Sequence, residues 1–272
     1  MDLGSWGLPS LEDLVRDAIF GNDIVSLSKL LQRKDIDLNQ FDSTGSFNPL
    51  FLGISYGRNE VVEMLLNDKR ILLNVSNSTG QTPLSYSSGL GAMDILLMLL
   101  QHPQSDDKLV NFTEGYVLTP LMNACKYGQL NCLKVLLGCG KVNVNVQLKT
   151  GETALYFACL NGDVNLVGEL LKDSRVDVNL ARKDKRTPLY LACEQRNFLV
   201  VRELIQDPRT DPNISNEDFQ TPLLHASFYG YIEVIVELLK SQKIDIGKVD
   251  SYGFDSLSLA LNQGHHHIVN YI

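Results

Sequence analysis

The phrase Thr-Pro-Leu recurs at Thr82, Thr119, Thr187 and Thr221. Its Thr-like position returns at Asp13, Asn48, Thr82, Thr119, Thr153, Thr187, Thr221 and Asp255, in steps of 34 to 37 residues. A beat this regular constrains the chain to a stack of like modules, each burying its apolar face against its neighbours.

Each beat reads as a helix start. Asp, Asn and Thr carry an oxygen that accepts a hydrogen bond from the unpaired amides of a first helical turn, and a following Pro suits the first helical position. Five residues on stand Ala18, Gly53, Ser87, Ala124, Ala158, Ala192, Ala226 and Ala260, so backbones must approach closely there. A Gly then usually interrupts (Gly57, Gly91, Gly128, Gly162, Gly230, Gly264), and a second apolar run follows. Within that run the position fourteen past the beat is always apolar: Leu27, Val62, Leu96, Leu133, Val167, Val201, Ile235 and Val269, as a core-facing helix requires. The alternating Val176-Asp177-Val178-Asn179 and the polar Arg182 to Arg186 before the next beat read as a projecting hairpin-like turn.

Helix, Gly turn, helix and projecting turn, carrying Thr-Pro-Leu and Asp-Val-Asn, resemble the ankyrin repeat family. Tetratricopeptide repeats share the period but want a different Trp, Gly, Tyr and Ala pattern and no hairpin. The resemblance spans 13–272 and implies an all-α ankyrin-repeat solenoid of about eight repeats, the last incomplete, after an extension at 1–12. The chain departs from the family in places. The His after Thr-Pro-Leu is replaced by Phe51, Ser85, Met122, Tyr156, Tyr190, Leu224 and Ser258, which puts the polar network often built there in doubt. No Gly precedes Asp-Val-Asn, so that turn should pass through ordinary φ. At the hairpin tips Gly80, Gly151 and Gly253 keep the family's glycine, whereas Val117, Lys185 and Phe219 replace it and are expected to bend differently. Extra residues in 42–47 and 101–108 read as loop drift before binding elements.

Composition narrows the function. No apolar run approaches the roughly 18 residues that suggest a membrane span, and the start lacks a signal-peptide pattern, so a soluble cytoplasmic protein with no membrane insertion is expected. Of five cysteines, Cys125, Cys159 and Cys193 share one inward position and read as free thiols in a reducing compartment. A net charge of −8 disfavours nucleic acid; the basic tip Arg182 to Arg186 is an exception that a solvated turn explains. Arg70, Lys141, Arg175, Arg209 and Lys243 form a column four before the hairpin Asn, with Asp37, Asp177, Asp211 and Asp245 two before it; the two are expected to face each other as exposed ladders. The hairpin Asn residues should bond the turn backbone, and the Leu171 to Asn179 stretch also resembles the pattern hydroxylated in some ankyrin repeats.

No catalytic constellation is present. His265, His266 and His267 point in different directions on a helix, and Cys125, Cys132 and Cys139 form no Cys-x-x-Cys pair, so no metal, cofactor or small-molecule substrate is expected and the chain is not read as an enzyme.

What the resemblance implies is a monomeric interaction module that binds a protein partner on a concave face of hairpin tips and first helices. Tyr56, Leu90 and Tyr127, all eight past the beat, make an apolar stripe there. Tyr229 shares that register beside Phe228, and tip residues Tyr116 and Tyr252 add aromatic surface. The middle of the face is charged, with Lys126, Lys149, Glu152, Lys183, Arg186, Glu194 and Asp218. Tyr56, Tyr127 and Tyr229 could equally cover the neighbouring helix turn. The alternative function is a regulatory or targeting segment of a larger enzyme or secreted effector, since the last repeat stops at Ile272 without a polar cap.

Overall fold

The computed structural model describes residues 9–41 and 48–272 and holds no strand among them. The chain divides into two compact units, Met1–Pro120 and Leu121–Ile272. The first contains α1 (Leu11–Phe20), α2 (Ile24–Leu31), α3 (Pro49–Ser55), α4 (Asn59–Leu66), α5 (Pro83–Leu90), α6 (Met93–Gln101) and the one-turn α7 (Asp107–Val110). Next come α8 (Pro120–Lys126), which starts at the boundary, α9 (Leu130–Leu137), α10 (Ala154–Asn161) and α11 (Val164–Leu171). The second unit ends with α12 (Pro188–Glu194), α13 (Phe198–Gln206), α14 (Pro222–Tyr229), α15 (Ile232–Leu238) and α16 (Ser256–Asn262). Within each unit the helices form two layers. First helices stack on first helices (α1 on α3 on α5; α10 on α12 on α14 on α16), and second helices on second (α2 on α4 on α6; α9 on α11 on α13 on α15).

The beat works as a capping device. The side chains of Asn48, Thr82, Thr153, Thr187, Thr221 and Asp255 each accept a first-turn amide of the helix that follows. All but Asp255 are buried, so their oxygens satisfy donors that water cannot reach. Asp13 does not cap: α1 starts one turn earlier at Ser10, whose hydroxyl accepts from the Asp13 amide while the Asp13 carboxylate accepts from the Ser10 amide. Ser-x-x-Asp thus closes a reciprocal box, and residues 11 and 12 are helical.

The small column earns its size limit at Gly53, where an added Cβ would sit 3.0 Å from Cγ2 of Val62. The fourteenth-position column is fully buried from Leu27 to Ile235. It fails in the last repeat, where residues 266–271 form turns in place of a second helix and Ile268, one residue early, fills the core. Turns between paired helices need a left-handed residue. Gly57, Gly91, Gly128, Gly162, Gly230 and Gly264 supply it, and Asn22 and Arg196 take the same φ, 55° and 57°, where Gly is missing. Arg196 gains an offsetting contact, its guanidinium 4.8 Å from the Tyr231 ring centroid. The turn before Asp-Val-Asn passes through ordinary φ, as expected.

Successive repeats are joined through their helix C-termini, whose last carbonyls lack partners in their own helix. Phe20 O, closing α1, accepts from Arg58 at 3.0 Å, and Lys126 O, closing α8, from Asn161 at 3.0 Å. Three second helices, α2, α9 and α11, are closed by arginines: Arg70 donates to Leu31 O at 2.8 Å, Arg175 to Leu137 O at 2.8 Å and Arg209 to Leu171 O at 2.6 Å. A cation at a helix C-terminus also meets the negative end of the dipole. The predicted facing ladders are therefore not formed. Arg70, Arg175 and Arg209 pair with Asp68, Asp173 and Asp207, two residues before each. Asp37, Asp177 and Asp211 instead accept the backbone amides of Asn39, Asn179 and Asn213, because a carboxylate two residues before an amide closes a local turn. The hairpin Asn reaches forward: Asn179 donates to Arg209 O (2.8 Å) and accepts from Asp211 N (2.9 Å), and Asn39, Asn145 and Asn213 bridge likewise.

The longer step at 101–108 is structural. Its Gln104 bridges Ile71 O and Leu73 N in the preceding repeat, and buried Ser105 donates to Leu99 O. The extra residue at 42–47 lies outside the described residues.

Candidate functional site

The hairpin tips are tight turns closed by a pair of backbone bonds. Asn216 N donates to Gln220 O and Phe219 N to Asn216 O, and the same pair recurs at Asn77, Leu148, Arg182 and Asp250. The third tip residue takes a left-handed φ. Gly80, Gly151 and Gly253 do so freely, but Lys185 and Phe219 adopt it too, both at 61°. The expectation that these two tips bend differently is thus corrected: the closing bonds impose one turn on all of them, at roughly 1–2 kcal/mol for each non-glycine residue. Val117 does depart, its turn using Gly115 two residues earlier. In the second unit neighbouring tips are linked by Lys183 N to Thr150 O at 3.1 Å and Glu217 N to Asp184 O at 3.2 Å.

In the first unit Tyr56, just beyond α3, and Leu90, ending α5, remain about half exposed; Tyr56 also rests edge-on against Phe20, centroids 5.2 Å apart. Tip residue Tyr116 is 79% exposed. In the second unit Tyr127 and Tyr229 are half exposed beyond α8 and at the end of α14, with the Lys126 ammonium 5.5 Å from the Tyr127 ring centroid. Phe228 packs edge-on against Tyr229, and its carbonyl accepts from Nε2 of His265 at 3.1 Å. Tyr252 is 84% exposed. The charged residues separate into two kinds. Arg186 and Glu194 pair with each other at 2.8 Å, and Glu152 faces Arg182 at 3.4 Å, so their charges are matched within the chain. Lys149, Lys183 and Asp218 point to solvent.

Between repeats of the second unit lies a polar cluster that sequence reasoning put in doubt and the structure contains. Tyr190, standing where the family has His, places its hydroxyl 3.1 Å from Nδ1 of His225 and accepts from the Asn216 amide at 3.1 Å. The Arg186 guanidinium lies over the Tyr190 ring. His225 is nearly enclosed, with Tyr229 4.7 Å and Tyr231 6.1 Å away by ring centroids. Burial, aided by the Arg186 charge, pushes its pKa down to about 4. The His has moved one residue, to the position after Thr-Pro-Leu-Leu, which is why a fixed-register search passed over it. Burial likewise raises the thiols of Cys125, Cys159 and Cys193 well above the ordinary range and that of Cys132 to about 11. No group of three or more His, Cys, Asp or Glu residues suited to a metal occurs among the described residues.

A family model for ankyrin repeats in three copies matches residues 72–147, 121–216 and 199–272, which together cover well over half of the chain. The chain belongs to the ankyrin-repeat family. Ankyrin repeats are protein–protein interaction modules. Among known proteins, the chain is similar to the nuclear factor NF-kappa-B p105 subunit of Gallus gallus, at 33% identity over 109 residues, 40% of this chain. It spans 11% of that relative's length. Among solved structures, the ankyrin repeat domain of Bcl-3, described as a unique member of the IkappaB protein family, superposes with a TM-score of 0.71 at 22% identity. The match covers 79% of this chain and 94% of that one, and it supports the ankyrin-repeat fold seen here. No helix among the described residues is long and apolar enough to cross a membrane.

Proposed function

We propose that this ankyrin-repeat chain is a non-catalytic module that binds a protein partner through its hairpin tips and the exposed ends of its first helices. The observation that carries this reading is the set of aromatic side chains that leave the core: Tyr116 and Tyr252 at the tips are more than three-quarters exposed, and Tyr56, Tyr127 and Tyr229 are half exposed at helix ends. Exposed aromatics bury large area at small rotamer cost when a partner arrives. A monomer in a reducing, cytoplasmic compartment fits the five free cysteines, four of them buried. The test replaces Tyr56, Leu90 and Tyr127 with Ala and follows partner capture from lysate by mass spectrometry beside thermal unfolding. Loss of capture with an unchanged transition supports binding; a lowered transition with capture retained assigns these side chains to packing.

A second reading, a regulatory or targeting segment of a larger enzyme or effector, is supported by the matched relative being far longer than the matched stretch. The full transcript tests it: a catalytic region in the same frame favours it, and a reading frame of repeats alone removes it.

A further inference from the structure

The tips of the second unit single out two residues by their strain. At the left-handed position of successive tips stand Gly151, Lys185, Phe219 and Gly253. Lys185 and Phe219 hold a conformation that side chains avoid, and no packing offsets it: Phe219 is 61% exposed and Lys185 is exposed. This differs from Arg196, whose equivalent strain is met by Tyr231. The closing backbone bonds account for the turn, but no packing accounts for an exposed Lys and Phe where Gly would take it without strain, and that choice points to a contact outside the chain. The surrounding charge defines that contact. Arg182 and Arg186 in the same tip are matched by Glu152 and Glu194, whereas Lys149, Lys183 and Lys185 point to solvent with no carboxylate in salt-bridge reach. The bond from Lys183 N to Thr150 O holds their two tips side by side. The next tip carries exposed Glu217 and Asp218 before Phe219, and the one after it Tyr252 and Phe254.

Resting on the docking reading above, we propose that the tip row of the second unit binds an extended partner segment in which a run of carboxylates adjoins a bulky apolar side chain. The carboxylates meet Lys149, Lys183 and Lys185, and the apolar group packs between Phe219 and Tyr252. Glu217 and Asp218 repel any further carboxylate, so the acidic stretch must end short of the apolar anchor.

A displayed random dodecamer peptide library, selected against the whole chain, tests this. The expected pool is enriched in a run of Asp or Glu adjoining a large apolar residue, in one order across the pool. Its members should bind Lys185→Gly and Phe219→Gly at least ~10-fold more weakly, as anchor loss does, while both variants unfold at or above the wild-type temperature because glycine relieves the strain. Lys183→Glu with Lys185→Glu should weaken these peptides further and favour sequences with the charge reversed. A lowered unfolding temperature for Phe219→Gly makes the ring a packing residue and overturns the proposal, as does a single-stranded oligonucleotide binding these lysines as tightly as the peptides. Peptides that ignore both tip variants but are lost in Tyr127→Ala or Tyr229→Ala overturn it while leaving the docking reading intact. Failure to enrich any peptide overturns the proposal alone; failure of partner capture as well removes both.

Discussion

The hydroxyl of Tyr190 lies 3.1 Å from Nδ1 of His225 across the joint between two successive repeats, so one repeat's stability is tied to a titratable ring in the next. With its folded pKa near 4 against 6.5 when free, His225 stays neutral in the fold at pH values where the unfolded chain takes up a proton. The unfolded state therefore binds more protons between about pH 4 and 6.5, and stability falls as pH drops through that window, by on the order of 3 kcal/mol in full. His225→Gln should flatten the urea-midpoint profile over this range. A steeper loss below pH 4 should survive, because Asp68, Asp173 and Asp207 are held below the ordinary carboxylate range first by hydrogen bonds from Arg70, Arg175 and Arg209.

Arg209 donates to Leu171 O, Asp173 O and Val176 O while pairing with the nearly buried Asp207. Arg209→Met removes all of these and strands the carboxylate, which should cost about 2–4 kcal/mol by chemical denaturation. Arg209→Lys should recover only a minor part, since one ammonium cannot span the set that a forked guanidinium reaches.

Two tip glycines should separate. A Cβ at Gly253 meets nothing within 4 Å, but at Gly151 it would sit 2.7 Å from Cα of Arg182 in the next tip. Gly253→Ala should destabilise by about 1 kcal/mol from backbone strain alone. Gly151→Ala must also push the neighbouring tip away and break Lys183 N to Thr150 O, so a loss roughly twice as large is expected, with faster amide exchange at Lys183.

Thiol reagents should distinguish the five cysteines. Cys139 is the partly exposed one; Cys125, Cys132, Cys159 and Cys193 are buried, with thiols raised by burial. A disulfide reagent at neutral pH should modify Cys139 promptly and the other four only in denaturant. Rapid modification of Cys159 in the native protein would contradict the packing described here.

The architecture was legible because capping, small-residue packing and Gly turns are local chemistry repeated at fixed register. Thr187 caps α12 for reasons contained in its own first turn. What the register hid was whatever depended on the next repeat. Arg209 looked like half of a surface ladder because its true partners, the carbonyls closing α11, carry no sequence signal. His225 escaped a fixed-position search by one residue, and Phe219, which replaces a tip glycine, keeps the glycine's φ where a different bend is the natural expectation. Asp13 matched the beat, yet Ser10 is a sufficient cap three residues earlier, so the first helix gained a turn. Among the candidate contact residues, exposure followed the register well for Tyr127 and Tyr229. The charged ones divided by partners, Glu194 and Arg186, that lie eight residues apart and meet only in the folded tip.

The arginines that close α2, α9 and α11 overlap those joints like roof tiles. At these joints the end of a second helix is fastened by the module that follows it. Local opening of α12 and α13 would therefore expose the end of α11, and it would also strand the buried Glu237 of α15, which pairs with Arg202. Injury at such a joint should therefore reach both neighbours, and a module transplanted in front of one of these clamps will seat well only if its new successor brings an arginine at the clamp position.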